Sequence, residues 1–148
     1  MALAIDEATQ LTIRRVFTAP VEAVYAAWTD ARQVSQWMAP SDDFGATEAT
    51  LDVRAGGRYR IVMHGPDGEK HRVGGVFEEV LANRRLVYTW AWESTPERVS
   101  RVSVDFRAVG EGTEIVLVHD RFYDTEARDR HQHGWQGCIG RLERYLAR

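Results

Sequence analysis

The chain of 148 residues has one cysteine, Cys138. A single thiol excludes an internal disulfide framework and a cysteine-rich zinc site, and it makes a reducing compartment, the cytoplasm, the expected location. Long apolar runs are missing too. No segment approaches the roughly 20 consecutive apolar residues of a membrane span, and the start MALAIDEATQ has neither the basic region nor the apolar core of a secretory signal. No membrane insertion is therefore expected. Positive charge is not in excess either: 19 basic and 22 acidic residues are interspersed and the net charge is −3. Such a chain offers no basic face to a phosphate backbone, so nucleic acid is not an expected partner. Catalytic signatures are absent as well. There is no GxSxG, no P-loop and no HExxH, and the pair Gly56–Gly57 precedes a predicted strand rather than the helix of a dinucleotide site.

What is present is a clear succession of periodicities. Leu11, Ile13, Arg15 and Phe17 alternate with Thr12, Arg14, Val16 and Thr18, which predicts a strand with one mostly buried face, ended by Pro20. Val21, Val24, Tyr25 and Trp28 then recur at helical spacing over residues 20 to 29, and Asp30 is placed to cap a second short helix that carries Val34 and Trp37 and closes at Pro40. From residue 44 to 120 short alternating runs are separated by RAGG, GPDG, LANR, STPE and VGEG. These runs predict an antiparallel meander with strands near 44–53, 57–64, 69–80, 85–93, 98–108 and 112–120. From Asp124, placed to cap, to Arg148 there is no proline, and Ala127, His131, Trp135, Cys138, Leu142 and Tyr145 mark one long amphipathic helix. Gly134, Gly137 and Gly140 within it each cost about 1 kcal/mol relative to alanine, so a close approach or a needed space is expected there. The reading is one α+β domain over 1–148, with a flexible start over 1–10 and a curved antiparallel sheet of about seven strands around the last helix.

The ordered segments RRVFTAPVEAVYAAWTDARQVSQWMAP, DVRAGGRYRIVMHGPDG, GGVFEEVLANRRLVYTWAW, GEGTEIVLVHDRF and HGWQGCIGRLERYL resemble the activator of heat-shock protein 90 ATPase homologue family, within the START-like (SRPBCC) superfamily. The resemblance runs from about Leu11 to Leu146. It implies a helix-grip fold, in which the sheet wraps the last helix around a cavity, and a superfamily whose members carry lipids, sterols, polyketides and hormones or, in some branches, catalyse cyclisation or hydrolysis. The members that give the family its name stimulate a chaperone ATPase and join this domain to a separate chaperone-binding domain. Here about ten residues precede the first predicted strand, so a chaperone is kept only as an alternative partner.

Aromatic and sulfur-bearing side chains gather on the predicted grip elements, and the candidate ligand-binding set is Tyr59, Met63, Tyr88, Trp90, Trp92, His119, Trp135 and Cys138. An apolar wall with few polar groups suits a small apolar or amphipathic molecule. His119 closes the alternation Ile115, Leu117, His119 and is expected to point inward at the mouth of the grip. Cys138, mid-helix, lacks the surroundings that activate a thiol. His131 and His133 stand two apart, about 200° around a helix axis, so they are not expected to share a metal. No catalytic residue, metal or cofactor is assigned. The reading is a small-molecule binding or carrier domain. Two alternatives stay open: a cyclase- or hydrolase-type enzyme in which a histidine moves a proton, and an interaction module acting on a chaperone or regulator. A weak homodimer also stays open.

Overall fold

A computed structural model describes residues 7–148. After a single 3-10 turn at Glu7–Thr9 the order is β1 (Leu11–Phe17), α1 (Val21–Thr29), α2 (Ala31–Trp37), β2 (Glu48–Leu51), β3 (Arg58–His64), β4 (Lys70–Leu81), β5 (Arg85–Trp92), β6 (Ser100–Val109), β7 (Gly112–Asp120) and α3 (Thr125–Leu146). The flexible start expected over 1–10 lies, up to residue 6, outside the described residues. Both aspartate caps form: Asp30 accepts from the Arg32 amide at 3.0 Å and Asp124 from the Ala127 amide at 2.8 Å, which satisfies amides that a helix start otherwise leaves free.

The strands make one antiparallel sheet in the order β1-β7-β6-β5-β4-β3-β2. First and last strands lie side by side, with Leu11 opposite His119 and Phe17 opposite Thr113. Hairpins account for the rest, since each of β2 to β7 pairs with its neighbour in sequence. The long strand β4 bends in its middle. Its register shifts between Phe77 and Glu79, as a β-bulge produces, and at Gly75 a Cβ would stand 2.2 Å from the Thr89 carbonyl oxygen of β5. The resulting curved sheet holds α3 against its inner face, and Leu11, Ile13, Ile61, Val73, Leu86, Val102, Val104, Ile115 and Leu117 share one buried cluster with Trp135, Cys138, Ile139 and Leu142.

Two expectations need correction. The strand expected over 44–53 is regular only over Glu48–Leu51. The segment before it keeps one bond to β3, the Gly45 amide donating to the His64 carbonyl at 2.8 Å, and leaves the regular ladder where the Thr47 hydroxyl donates to the Met38 carbonyl at 2.9 Å and Phe44 lies against the His71 ring. The buried stripe of α3 also begins later than expected: Trp135, Cys138 and Leu142 are buried, joined by Ile139, whereas Ala127 and His131 are half-buried. Ile139, fully buried, stands four residues after Trp135 and three before Leu142, and beside Cys138 it widens the buried face beyond a single seam, as a helix packed on a curved sheet requires.

Candidate functional site

Between the sheet and the first half of α3 lies a cavity of about 490 Å³. Its floor is Met63 of β3 and Trp90 of β5, one wall is Trp135, Cys138 and Gly134 of α3, and the opposite wall is Met38, Pro40 and Phe44 from the segment after α2. That segment is fastened to α3. Arg141 donates to the Trp37, Ser41 and Gln36 carbonyls at 3.3 Å and meets Asp42 at 2.8 Å, and Arg144 meets the same carboxylate at 2.8 Å. Gly137 completes the fit, since a Cβ there would stand 1.9 Å from the Pro40 carbonyl oxygen. Gly134, in contrast, faces open space, with nothing within 4 Å of the position its Cβ would occupy. One glycine of the helix thus allows contact and another leaves room. Gly140 also has nothing near it, and nothing in the structure explains a glycine there.

Met63, Trp90, Trp92, Trp135 and Cys138 of the candidate set line this cavity together. Tyr59 and Tyr88 do not. They pack with Phe77, with ring centres 5.3 to 5.7 Å apart, around a separate void of about 20 Å³, room for about one water. Both hydroxyls are spoken for, Tyr59 donating to the Thr89 carbonyl at 2.6 Å and Tyr88 accepting from Trp28 Nε1 at 3.2 Å, and burial raises both phenols above their ordinary range. Alternation puts Tyr59 and Met63 on one face, yet four residues of strand separate them by about 13 Å, and the hollow occupies only the Met63 end.

His119 is the second departure. It is fully buried behind Trp135 rather than at the mouth, and it is absent from the lining. Trp135 Nε1 donates to its Nδ1 at 2.9 Å, which leaves the proton on Nε2, 2.7 Å from Ser100 Oγ, and that hydroxyl donates to the Trp90 carbonyl at 3.1 Å. Both ring nitrogens are used. Burial, reinforced by the neighbouring His131, holds its pKa well below the usual histidine value, so the ring is neutral. His131 does line the cavity and has the opposite tautomer: its Nδ1 donates to the Ala127 carbonyl at 2.7 Å and its Nε2 accepts from Trp92 Nε1 at 2.8 Å. Burial lowers its pKa too. The Cys138 thiol is pushed up to about 12 by burial, which leaves a protonated, unreactive sulfur. Trp90 Nε1, also buried, has no partner.

The cavity has further lining that periodicity could not supply. Ser94, Thr95 and Arg98 come from the β5–β6 connection, His71 from β4, and Arg130 and His133 from α3. His71 was within reach of a register argument, because it stands directly opposite Met63. All five tryptophans of the chain form one row with successive ring centres 4.8, 6.5, 5.3 and 5.6 Å apart, in the order Trp37, Trp28, Trp135, Trp90, Trp92. The row runs from the core into the cavity wall. Among the described residues no group of three or more His, Cys, Asp or Glu side chains is placed to hold a metal, and no helix is long and apolar enough to cross a membrane.

A seven-stranded antiparallel sheet gripping a C-terminal helix, with a hollow at one end of the grip, defines a helix-grip protein of the START-like type. The model of the family described as activator of Hsp90 ATPase homolog 1-like protein matches residues 18–147, and the chain belongs to that family. Solved structures agree in fold. The AHSA1-like protein from Aeromonas hydrophila is 28% identical with a TM-score of 0.77, over 93% of this chain and 92% of that one. A protein from Rhodobacter sphaeroides is 25% identical with a TM-score of 0.82, over 97% and 96%, and one from Chromobacterium violaceum 23% identical with a TM-score of 0.82, over 93% and 96%. No curated protein matches the chain. The fold and family are those of a ligand-binding or regulator-type domain.

Proposed function

We propose that the chain is a binding or carrier domain for a small molecule with a flat apolar body, held in the cavity between β3, β5 and α3. The observation that carries this reading is the cavity itself: about 490 Å³, walled largely by indole, thioether and phenyl groups and open to solvent at its mouth, within the range of small-molecule sites. Proton transfer by the two histidines packed among the indoles, His119 and His131, is disfavoured by the bonds they already make. A general base needs a free nitrogen within hydrogen-bond reach of its substrate, and Trp135 and Trp92 already occupy the only unprotonated nitrogens of His119 and His131.

Titration with N-phenyl-1-naphthylamine, an uncharged probe that brightens in apolar surroundings, tests the reading. Saturable binding with one probe per chain is expected. Gly134→Leu, whose side chain enters the open space, is expected to keep native circular dichroism and lose at least tenfold in affinity, about 1.4 kcal/mol. No saturable binding by the folded wild-type protein would overturn the carrier reading.

A further inference from the structure

Resting on the carrier reading, we infer that the molecule held in this cavity is an anionic amphiphile, whose apolar body lies on Trp90, Trp92 and Trp135 and whose negative group sits at the mouth between Arg98 and Arg130. The lining contains two arginines, three histidines and two hydroxyl side chains, and not one carboxylate. That bias is local, since acidic residues outnumber basic ones over the whole chain.

Neither of these two arginines is tied to a carboxylate across the sheet. Most arginines near the sheet are consumed by carboxylates, as Arg60 is by Glu93 at 2.7 Å and Arg85 by Asp105 at 2.8 Å. Arg98 forms no ion pair among the described residues; its guanidinium lies 3.9 Å from the centre of the Tyr123 ring, a contact that positions the charge without neutralising it. Arg130 meets Glu126 one turn earlier, at 2.9 Å, with both side chains largely in water. Exposed pairs of this kind are weak and exchange readily for a better-placed anion. The same polarity continues beside the mouth, where a smaller cavity of about 190 Å³ shares His71, Trp92 and Ser94 with the main one and adds Lys70 and Arg72. The acid there, Glu93, is already engaged by Arg60. An anion arriving at this end meets cations and hydroxyl donors, and guanidinium groups bind carboxylate or sulfonate oxygens through paired N–H donors.

The test compares two probes with one body, N-phenyl-1-naphthylamine and 8-anilinonaphthalene-1-sulfonate, which differ by a sulfonate. The sulfonate probe is expected to bind the wild-type protein at least tenfold more tightly at 50 mM salt, with the gap narrowing at 500 mM as the charges are screened. Arg98→Gln/Arg130→Gln is expected to remove the difference while the uncharged probe binds as before. Equal or weaker binding of the sulfonate probe, or an advantage that survives in the double variant, overturns the inference and leaves the carrier reading standing. Failure of both probes to bind overturns both.

Discussion

At the scale of single residues, Trp90 and Trp135 look interchangeable, being adjacent buried indoles, yet their N–H groups differ. Trp135 Nε1 donates to His119, and Trp90 Nε1 donates to nothing. Replacing Trp135 with Phe removes a buried bond and strands the His119 Nδ1 acceptor, which is expected to cost about 2–3 kcal/mol in urea unfolding. Trp90→Phe instead deletes a donor that was already unsatisfied, beside space that is already open, and is expected to cost under about 1 kcal/mol. Equal losses would contradict the bonding assignment.

The buried His119 and the half-buried His131 also fix a pH dependence. Their folded pKa values lie below the ordinary one, whereas in the unfolded chain imidazole takes up a proton near pH 6.5. The unfolded state therefore binds more protons as the pH falls through that value, and stability, complete above about pH 7.5, declines below about 6.5 until the folded rings themselves protonate. Each histidine contributes a slope of at most about 1.4 kcal/mol per pH unit. Urea midpoints between pH 7.5 and 5.5 are expected to fall for the wild-type protein and to fall less for His119→Gln, whose amide can accept from Trp135 and donate to Ser100 without titrating.

Among secondary-structure elements, α3 does two jobs with two glycines. At Gly137 an added methyl meets a backbone carbonyl, which cannot move without dragging the segment that Arg141 and Arg144 tie down. Gly137→Ala is therefore expected to destabilise by about 1–3 kcal/mol, strain exceeding the helix-propensity gain. Gly134→Ala meets nothing and is expected to stabilise by up to about 1 kcal/mol, at the expense of room in the cavity. Thermal unfolding of the two variants decides it, and opposite signs are expected. A large side chain that is meant to fill the hollow belongs at 134; at 137 it would pry the helix from Pro40.

The element order, the seven strands and both aspartate caps were legible in the sequence because each rests on local chemistry: alternation, turn residues, a capping carboxylate. Site membership was legible only by halves. Trp90, Trp92, Trp135, Met63 and Cys138 came from periodicity, which reports the face of an element. Tyr59, Tyr88 and His119 share that face, and what separates them from the cavity is position along it, set by how the sheet curves and where α3 crosses. Arg98, Arg130 and Phe44 carried no periodic signal at all, since a loop or a helix edge reaches the mouth only through the tertiary fold.

Taken whole, the molecule is asymmetric along its sheet, solid at the Tyr59–Phe77–Tyr88 end and hollow at the Trp92 end, and the five indoles join the two. Rings at these separations share excitation faster than they emit. Light absorbed by Trp37, deep in the core, can leave as emission from Trp92 or be lost there. The protein's fluorescence is thus a collective signal read out at the cavity, and a quenching molecule seated against Trp92 is expected to darken far more than the one-fifth of the emission that five independent tryptophans would forfeit. The same coupling is expected to appear as a paired positive and negative band in the ultraviolet circular dichroism, and to weaken in Trp28→Phe, which separates Trp37 from the three indoles of the cavity wall while their own separations of 5.3 and 5.6 Å persist.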